Sequence, residues 1–233
     1  MRCFMNINFI KAFNDNYIWT IEKDGKLIVV DPGDAGPVID HLKNKKLDYI
    51  ILTHNHMDHV GGVDELKIKY GAKVYGPTET SEYNDVTLKD GDEFEIFGED
   101  FKVISTGGHT EDHISYLVDG NLFCGDALFL AGCGRVFTKD YKKAYEGLKK
   151  LKNLADDTVV YPAHEYSLAN LKFAKSIISN EDLDREYERV RKLRDEDKIT
   201  LPSTIEKEKK INPFFLAKDL DEFIDFRNKK DSF

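Results

Sequence analysis

The sequence predicts an α/β (α+β) chain built of two sheets with covering helices and closed by a mainly helical region. Three observations predict it: strand-sized β-branched and aromatic runs between turn residues, apolar positions at helical spacing between some of those runs, and a change after residue 164 to charge-dense helical periodicity. Strands are expected at 6–13, 17–22 and 26–31, because Asn14-Asp15-Asn16 and Asp24-Gly25 are turn signals between apolar runs and Pro32-Gly33 closes the third. Val38, Ile39 and Leu42 recur at helical spacing up to a Lys-rich stop at 43–46, and 47–52 is then a buried strand running into Thr53-His54. A βαβ-like unit therefore delivers the first histidines. A helix over 61–70 and a strand over 72–76 follow, then a meander of strands at 93–96, 101–105, 114–118 and 121–124 with Gly-Asp, Gly-Glu and Asp-Gly turns. A helix over 142–154 precedes a last strand, 158–161, which ends before Pro162-Ala163-His164. Residues 165–198 read as helical, Pro202, Asn212 and Pro213 interrupt the remainder, and 220–230 is a final amphipathic segment. Two domains are expected, 1–164 and 165–233.

The 233 residues carry 34 Lys plus Arg against 43 Asp plus Glu, a formal charge of -9, and 41% are hydrophobic. This length suits one large domain or a large one with an appendage, and either buries a substantial core. An aromatic fraction of 12% argues against disorder. No apolar run approaches the roughly 20 residues that a membrane helix needs. The start, MRCFMNINFIKAF, has neither an apolar core closed by a cleavage site nor an Arg-rich transit pattern. The expectation is a soluble, cytoplasmic monomer with no membrane partner. Cys3, Cys124 and Cys133 are too few, and odd in number, for a disulfide framework, which fits a reducing compartment. Residues 1–164 hold 19 basic and 27 acidic side chains and 165–233 hold 15 and 16, so the acidity sits in the first part. It disfavours a nucleic-acid partner.

The histidines carry the chemistry. His54-Asn55-His56-Met57-Asp58-His59 follows a predicted strand, placing four possible ligands within six residues. Neutral imidazoles and carboxylates suit Zn, Fe or Mn, whereas Cu(I) or Fe-S sites want thiolates. His109, Asp126 and His164 each end or follow a predicted strand, where open α/β sheets place their sites. Five His and two Asp are too many for one tetrahedral ion and enough for two, so a binuclear site with one shared Asp is the natural hypothesis. His113 is a ligand, an orienter or, the favoured reading, a polar anchor for its loop. Asp31 either hydrogen-bonds a ligand imidazole or caps the Pro32-Gly33 turn. His41, on a surface helix, is assigned no role, and Cys124 and Cys133 read as packed thiols.

The runs THNHMDH at 53–59, GGHT at 107–110, GDALF at 125–129 and AHEY at 163–166 resemble, in order, the metal-binding motifs of the metallo-β-lactamase superfamily. More narrowly, DNYIW at 15–19, LAGCGR at 130–135, HEY at 164–166 with NLKFA at 170–174, LPST at 201–204 and NPF at 212–214 are similar to the glyoxalase II (hydroxyacylglutathione hydrolase) family. The resemblance covers nearly the whole chain. It implies a four-layer αββα sandwich over 1–164 as the catalytic domain and a helical 165–233 that binds substrate. It implies one metal on His54, His56 and His109, a second on Asp58, His59 and His164, and Asp126 bridging them. Arg135, Tyr166, Arg227 and Lys230 are the implied glutathione contacts, Arg227 and Lys230 being three apart on one helical face. Phe137 stands where many members have Tyr, Ala163 where many have Gly, and Glu111-Asp112 is a milder departure.

The activity implied is hydrolysis of S-(2-hydroxyacyl)glutathione, in particular S-D-lactoylglutathione. Two divalent ions roughly 3.5–4 Å apart would bring a bridging water toward neutral pKa, with Asp58 and Asp126 as the carboxylates of the catalytic centre. A leaving thiol with a pKa near roughly 8.5 departs as the anion without a strong general acid. A β-lactamase would not need the helical tail, a persulfide dioxygenase would need only one iron and part of the ligand set, and a nuclease would need basic surface. A non-catalytic binding protein or a diiron redox domain is a different class. The complete ligand set argues against the first, and the lack of a flavodoxin-like continuation argues against the second.

Overall fold

The computed structural model describes residues 5–43 and 45–233; Cys3 of the cysteine count and Asn44 of the Lys-rich stop lie outside the described residues. By compactness the chain falls into two units, Met1–Ser105 with Asp112–Asp119, and Thr106–Glu111 with Gly120–Phe233.

The first unit opens with β1 (Asn6–Ala12), β2 (Asn16–Lys23) and β3 (Lys26–Val30), antiparallel neighbours whose register sets Ile10 against Ile18 and Trp19 against Val30. After α1 (Ala35–Leu42), capped by Asp34 accepting from Gly36 N at 2.9 Å, β4 (Tyr49–Ile51), β5 (Lys73–Gly76) and β6 (Val86–Thr87) add in parallel, giving the order β1-β2-β3-β4-β5-β6. Beyond the exposed lysines that open β3 and β5, the central parallel strands are mostly buried and apolar, as expected where both faces are covered. Ile50, Leu52, Val29 and Val74 pack with Val38 and Leu42 of α1 in one core.

The helix expected at 61–70 is α3 (Val63–Tyr70), and a short helix that the sequence did not predict, α2 (Met57–Val60), precedes it, the two parted at Gly61-Gly62. A Cβ on Gly62 would lie 2.5 Å from Ala35 N and 2.6 Å from Pro32 O, so that turn is pressed against the chain leaving β3 and only glycine fits. The meander is β7 (Glu93–Ile96), β8 (Glu99–Ser105) and β9 (Ile114–Val118), all antiparallel. Phe94 stacks between Tyr75 and Phe101 at 4.9 and 5.1 Å, and the Tyr116 hydroxyl donates to Leu52 O at 2.7 Å, which ties the meander to the first sheet.

In the second unit β10 (Asn121–Gly125) runs parallel to β13 (Val159–Pro162), and β13 pairs antiparallel with β14 (Ser203–Thr204). A small hairpin of β11 (Leu128–Phe129) and β12 (Gly132–Cys133) leaves β10 ahead of α4 (Tyr141–Lys152). The periodicity over 165–198 resolves into α5 (Ser167–Ile177) and α6 (Glu181–Asp195). Asn180 accepts from Leu183 N at 2.8 Å and so starts a new helix where the charge pattern alone looks continuous. Caps at Thr204, Asn212 and Asp219 likewise start α7 (Ile205–Ile211), α8 (Pro213–Leu216) and α9 (Leu220–Asp231). This unit runs across residue 165. Among the described residues no helix is long and apolar enough to cross a membrane.

Candidate metal centre

In the first unit the parallel strands β3 and β4 end beside each other, and their next residues form the site. Asp31, buried with φ +51, follows β3. One of its oxygens accepts from Thr53 N at 2.7 Å; the other accepts from Thr53 Oγ1 at 2.6 Å and from His59 Nδ1 at 3.1 Å. Of the two expectations for Asp31, the imidazole partner is the one realised. Thr53 Oγ1, having given its proton to Asp31, accepts from His54 Nδ1 at 3.0 Å. These bonds place the N–H of both rings on Nδ1 and leave each Nε2 with a lone pair.

His54 Nε2 then stands 3.2 Å from His56 Nδ1, and His59 Nε2 stands 3.6 Å from an Asp58 oxygen. Asn16, at the start of β2, donates to that same Asp58 oxygen at 3.1 Å and to Asp58 O at 3.3 Å. Asp31, His54 and His59 hold donor atoms within 4.8 Å of one another. His113 is fully buried with its ring 4.8 Å from that of His54, a packed position beside the ligand candidates. His41 is exposed on α1.

In the second unit β10 delivers Asp126 and β13 delivers His164, while the Thr106–Glu111 segment carries His109. That segment passes close to α4: a Cβ on Gly108, whose φ is +131, would meet Ala144 Cβ at 2.5 Å. His109 donates from Nδ1 to Arg135 O at 2.9 Å, so its Nε2 also keeps a lone pair, 3.3 Å from Asp126 Oδ2. His164 Nε2 is 3.2 Å from Asp126 Oδ1. The Tyr166 ring stacks on His164 at 4.7 Å and 3°, and Phe129 meets Tyr166 edge-on at 5.2 Å.

Acceptor atoms facing each other this closely need a proton or a cation between them. A carboxylate offering each oxygen to a different imidazole is a donor set for two cations, and its N and O chemistry suits Zn, Fe or Mn. The residues fit a divalent metal centre.

The four expected substrate contacts are placed unlike one another. Arg135 and Tyr166 are exposed. Arg135 Nε donates to Asp231 at 3.2 Å, and its guanidinium lies 5.8 Å from the Phe137 ring, itself edge-on to His109 at 5.3 Å. Lys230 is half-buried over Phe173 and Phe233, with Nζ 3.4 Å from Ala169 O; burial first, and Arg227 second, push its pKa down. Arg227, expected beside it on one accessible face, is only 3% exposed and turns inward: Nη1 donates to Cys133 O at 2.7 Å and Nη2 to Asp231 at 2.9 Å.

Burial pushes the Cys133 thiol up, and Arg227 offsets part of that; burial holds the Cys124 thiol well above its ordinary range. Both behave as packed thiols rather than nucleophiles. Sequence reasoning missed Asn16 as the partner of Asp58, reading it as a turn residue. It assigned nothing to Asn170, Glu208 and Asn212, whose contacts join positions 40 to 83 residues apart.

Residues 13–85 and 77–164 match the metallo-β-lactamase superfamily, and 165–233 match the hydroxyacylglutathione hydrolase C-terminus. A protein of Actinobacillus pleuropneumoniae serotype 5b named hydroxyacylglutathione hydrolase is 45% identical over 234 aligned positions, covering 98% of this chain and 100% of that one. One of the same name from Glaesserella parasuis serovar 5 is 46% identical with the same coverage.

Among solved structures, ETHE1 from Myxococcus xanthus aligns with a TM-score of 0.74 at 25% identity, over 97% of this chain and 90% of that one. A metallo-β-lactamase from Staphylococcus aureus aligns at 0.71 and 21% identity, over 99% and 72%, a likeness of fold. The expected metallo-β-lactamase-like fold with a helical C-terminal region is therefore the one found. With motif order, buried imidazole and carboxylate groups and full-length identity in agreement, the chain belongs to the hydroxyacylglutathione hydrolase family of the metallo-β-lactamase superfamily.

Proposed function

We propose that the protein hydrolyses S-(2-hydroxyacyl)glutathione thioesters, S-D-lactoylglutathione foremost, to the hydroxy acid and glutathione, with two divalent ions as cofactors. The observation that carries this reading is the pair of contacts on Asp126, one imidazole nitrogen to each carboxylate oxygen, in a chain of this family. By the family's motif positions, His54, His56 and His109 would hold one ion and Asp58, His59 and His164 the other, with Asp126 serving both. Zinc is the first choice, with iron and manganese accepted by the same donors. Bound there, the ions supply Lewis acidity for the thioester carbonyl and draw the pKa of a water toward neutrality.

The chain's own groups do the rest. Asp31 and Arg135 O take the outer N–H of His59 and His109, keeping the inner nitrogens deprotonated and aimed. Asn16 holds the Asp58 carboxylate in one rotamer. Arg135 and Lys230 offer cations to the carboxylates of the glutathione moiety and Tyr166 a hydroxyl beside His164, while Arg227 supports that edge from behind. Residues 1–164 serve catalysis and 165–233 substrate binding. The free thiols of Cys124 and Cys133 fit a reducing compartment, and a cytoplasmic monomer is the proposed form.

The test is loss of thioester ultraviolet absorbance from S-D-lactoylglutathione with metal-replete protein, run beside nitrocefin and glutathione persulfide. Turnover of either alternative with the thioester untouched would sink the reading. Metal analysis of protein purified without added ions identifies the cofactors.

A further inference from the structure

The β11–β12 hairpin has metal-site groups at both ends. Asp126 precedes β11, and two residues past β12 lies Arg135, whose carbonyl takes the His109 Nδ1 proton. A Cβ on Gly134 would lie 2.1 Å from Asp126 O and 3.0 Å from His109 Nδ1, so the chain here has no room to shift. Paired to each other by only two residues a side, the strands leave most of their main-chain polar groups to other partners.

Those partners are side chains from the helices that follow. Glu208 of α7 accepts from Ala131 N at 2.8 Å, Asn212 donates to Phe129 O at 3.3 Å and Gly132 O at 3.0 Å, Asn170 of α5 donates to Leu130 O at 3.2 Å, and Arg227 of α9 donates to Cys133 O at 2.7 Å. Glu208 is the hub of this clamp. It is fully buried, and it also accepts from Asn212 Nδ2 at 2.9 Å and from the Ser203 hydroxyl, so one carboxyl fixes the hairpin tip, α7 and β14 together.

Resting on the ligand roles given above to His109 and Asp126, we propose that Glu208, acting with Asn212 through the β11–β12 hairpin, is a positioning residue for the hydrolysis: it sets Asp126 and the Arg135 carbonyl so that His109 and Asp126 meet the metal in register. Burial raises the pKa of this carboxyl to about 7, against the lowering by its bonds from Ser203, Asn212 and Ala131 N. The charged or titratable neighbours of Glu208 are Lys207 on its own helix and the Cys124 thiol on β10.

The test compares Glu208→Ala, Glu208→Gln and, as a control on the site itself, His109→Ala, all on the full chain. Gln keeps every bond: its oxygen accepts from Ala131 N and Asn212, and its amide donates to Ser203. Ala keeps none. For Glu208→Ala, zinc affinity measured by chelator competition is expected to fall roughly 10–100-fold, in the range seen when outer partners of metal ligands are removed. Its kcat should fall by a similar factor with KM within about threefold, and Glu208→Gln should stand within about threefold of the native protein in both.

Native zinc affinity and kcat in a folded Glu208→Ala protein would overturn the proposal. If Glu208→Ala does not fold, Asn170→Ala, which removes only the Leu130 bond, must show a several-fold loss in the same two quantities, and no change there overturns it equally. Retained zinc affinity in His109→Ala would instead overturn the ligand assignment, so the two failures are distinguishable.

Discussion

In the first unit one buried carboxylate, Asp31, and one hydroxyl, that of Thr53, orient His54 and His59, and both come from the residues that end neighbouring parallel strands. In the second unit the partner of His109 is a main-chain carbonyl, that of Arg135, in a turn whose conformation depends on side chains up to 94 residues away. The first arrangement is specified where it acts. The second is specified from a distance, since no substitution at position 135 removes a carbonyl oxygen and only disturbing what holds the turn can move it. Outer partners of one chemical purpose can thus be built from one residue or from a fold.

Asp126→Ala breaks the second group outright and is expected to have the largest effect. Activity on S-D-lactoylglutathione should fall by more than the roughly 10–100-fold typical of an outer partner, and mass spectrometry under native conditions should show lost metal. Asp31→Ala tests the first group at its single point of control: zinc affinity and kcat should each fall roughly 10–100-fold. Arg135→Ala is the matched change in the second group, and because the carbonyl stays, kcat should stay within about twofold. An equal loss of kcat in both would erase the contrast drawn between them.

Next in size is a pH effect on stability. Burial holds the Glu208 carboxyl near 7 against an ordinary 4.5. The folded protein therefore binds that proton more tightly than the unfolded chain, so the contribution is full below about 4.5 and is lost as pH rises through about 7. Glu208→Gln, which cannot ionise, should gain on the native protein by about 1–3 kcal/mol between pH 5 and pH 8, read from urea midpoints. A difference that stays constant with pH would contradict this account of the carboxyl.

The smallest effects belong to the cations of the proposed glutathione edge, exposed Arg135 and half-buried Lys230. Arg135→Ala and Lys230→Ala should each raise KM for the glutathione thioester a few-fold more than for a small aryl thioester, as exposed charge pairs contribute under about 1 kcal/mol. Arg227→Ala should behave differently, lowering thermal stability and kcat, because its guanidinium is bound to Cys133 O and Asp231.

The sequence made the first half of the site readable because its parts are close together. His54, His56, Asp58 and His59 lie within six residues after a strand whose apolar run and preceding helix are plain, and Asp31 stands at the end of the strand paired with it. The motif positions of His109, Asp126 and His164 were legible as well, each beside a strand end. What holds them was not. Two-residue strands such as β11, β12 and β14 have no period to detect, and a buried glutamate inside the charge-rich run Glu206-Lys207-Glu208-Lys209 looks like any solvated face. The break between α5 and α6 was hidden for a similar reason: charged residues at helical spacing, such as Glu186 and Arg189 within α6, make the run look continuous, and only the single cap residue Asn180 divides it. The inward turn of Arg227 could not be read from spacing, which fixes a face of the helix and leaves open what covers it.

The hairpin's dependence on the helices has a consequence for modularity. Phe129 O, Leu130 O, Ala131 N, Gly132 O and Cys133 O are bonded by side chains that all come from beyond residue 164. Cutting the gene there, or grafting another tail onto the same sheets, would strand these polar groups in an apolar setting, each unmet one at a penalty of about 1–3 kcal/mol. The two segments are separable as stretches of sequence and inseparable as folding partners, so a recombination that exchanges the tail has to exchange the hairpin with it.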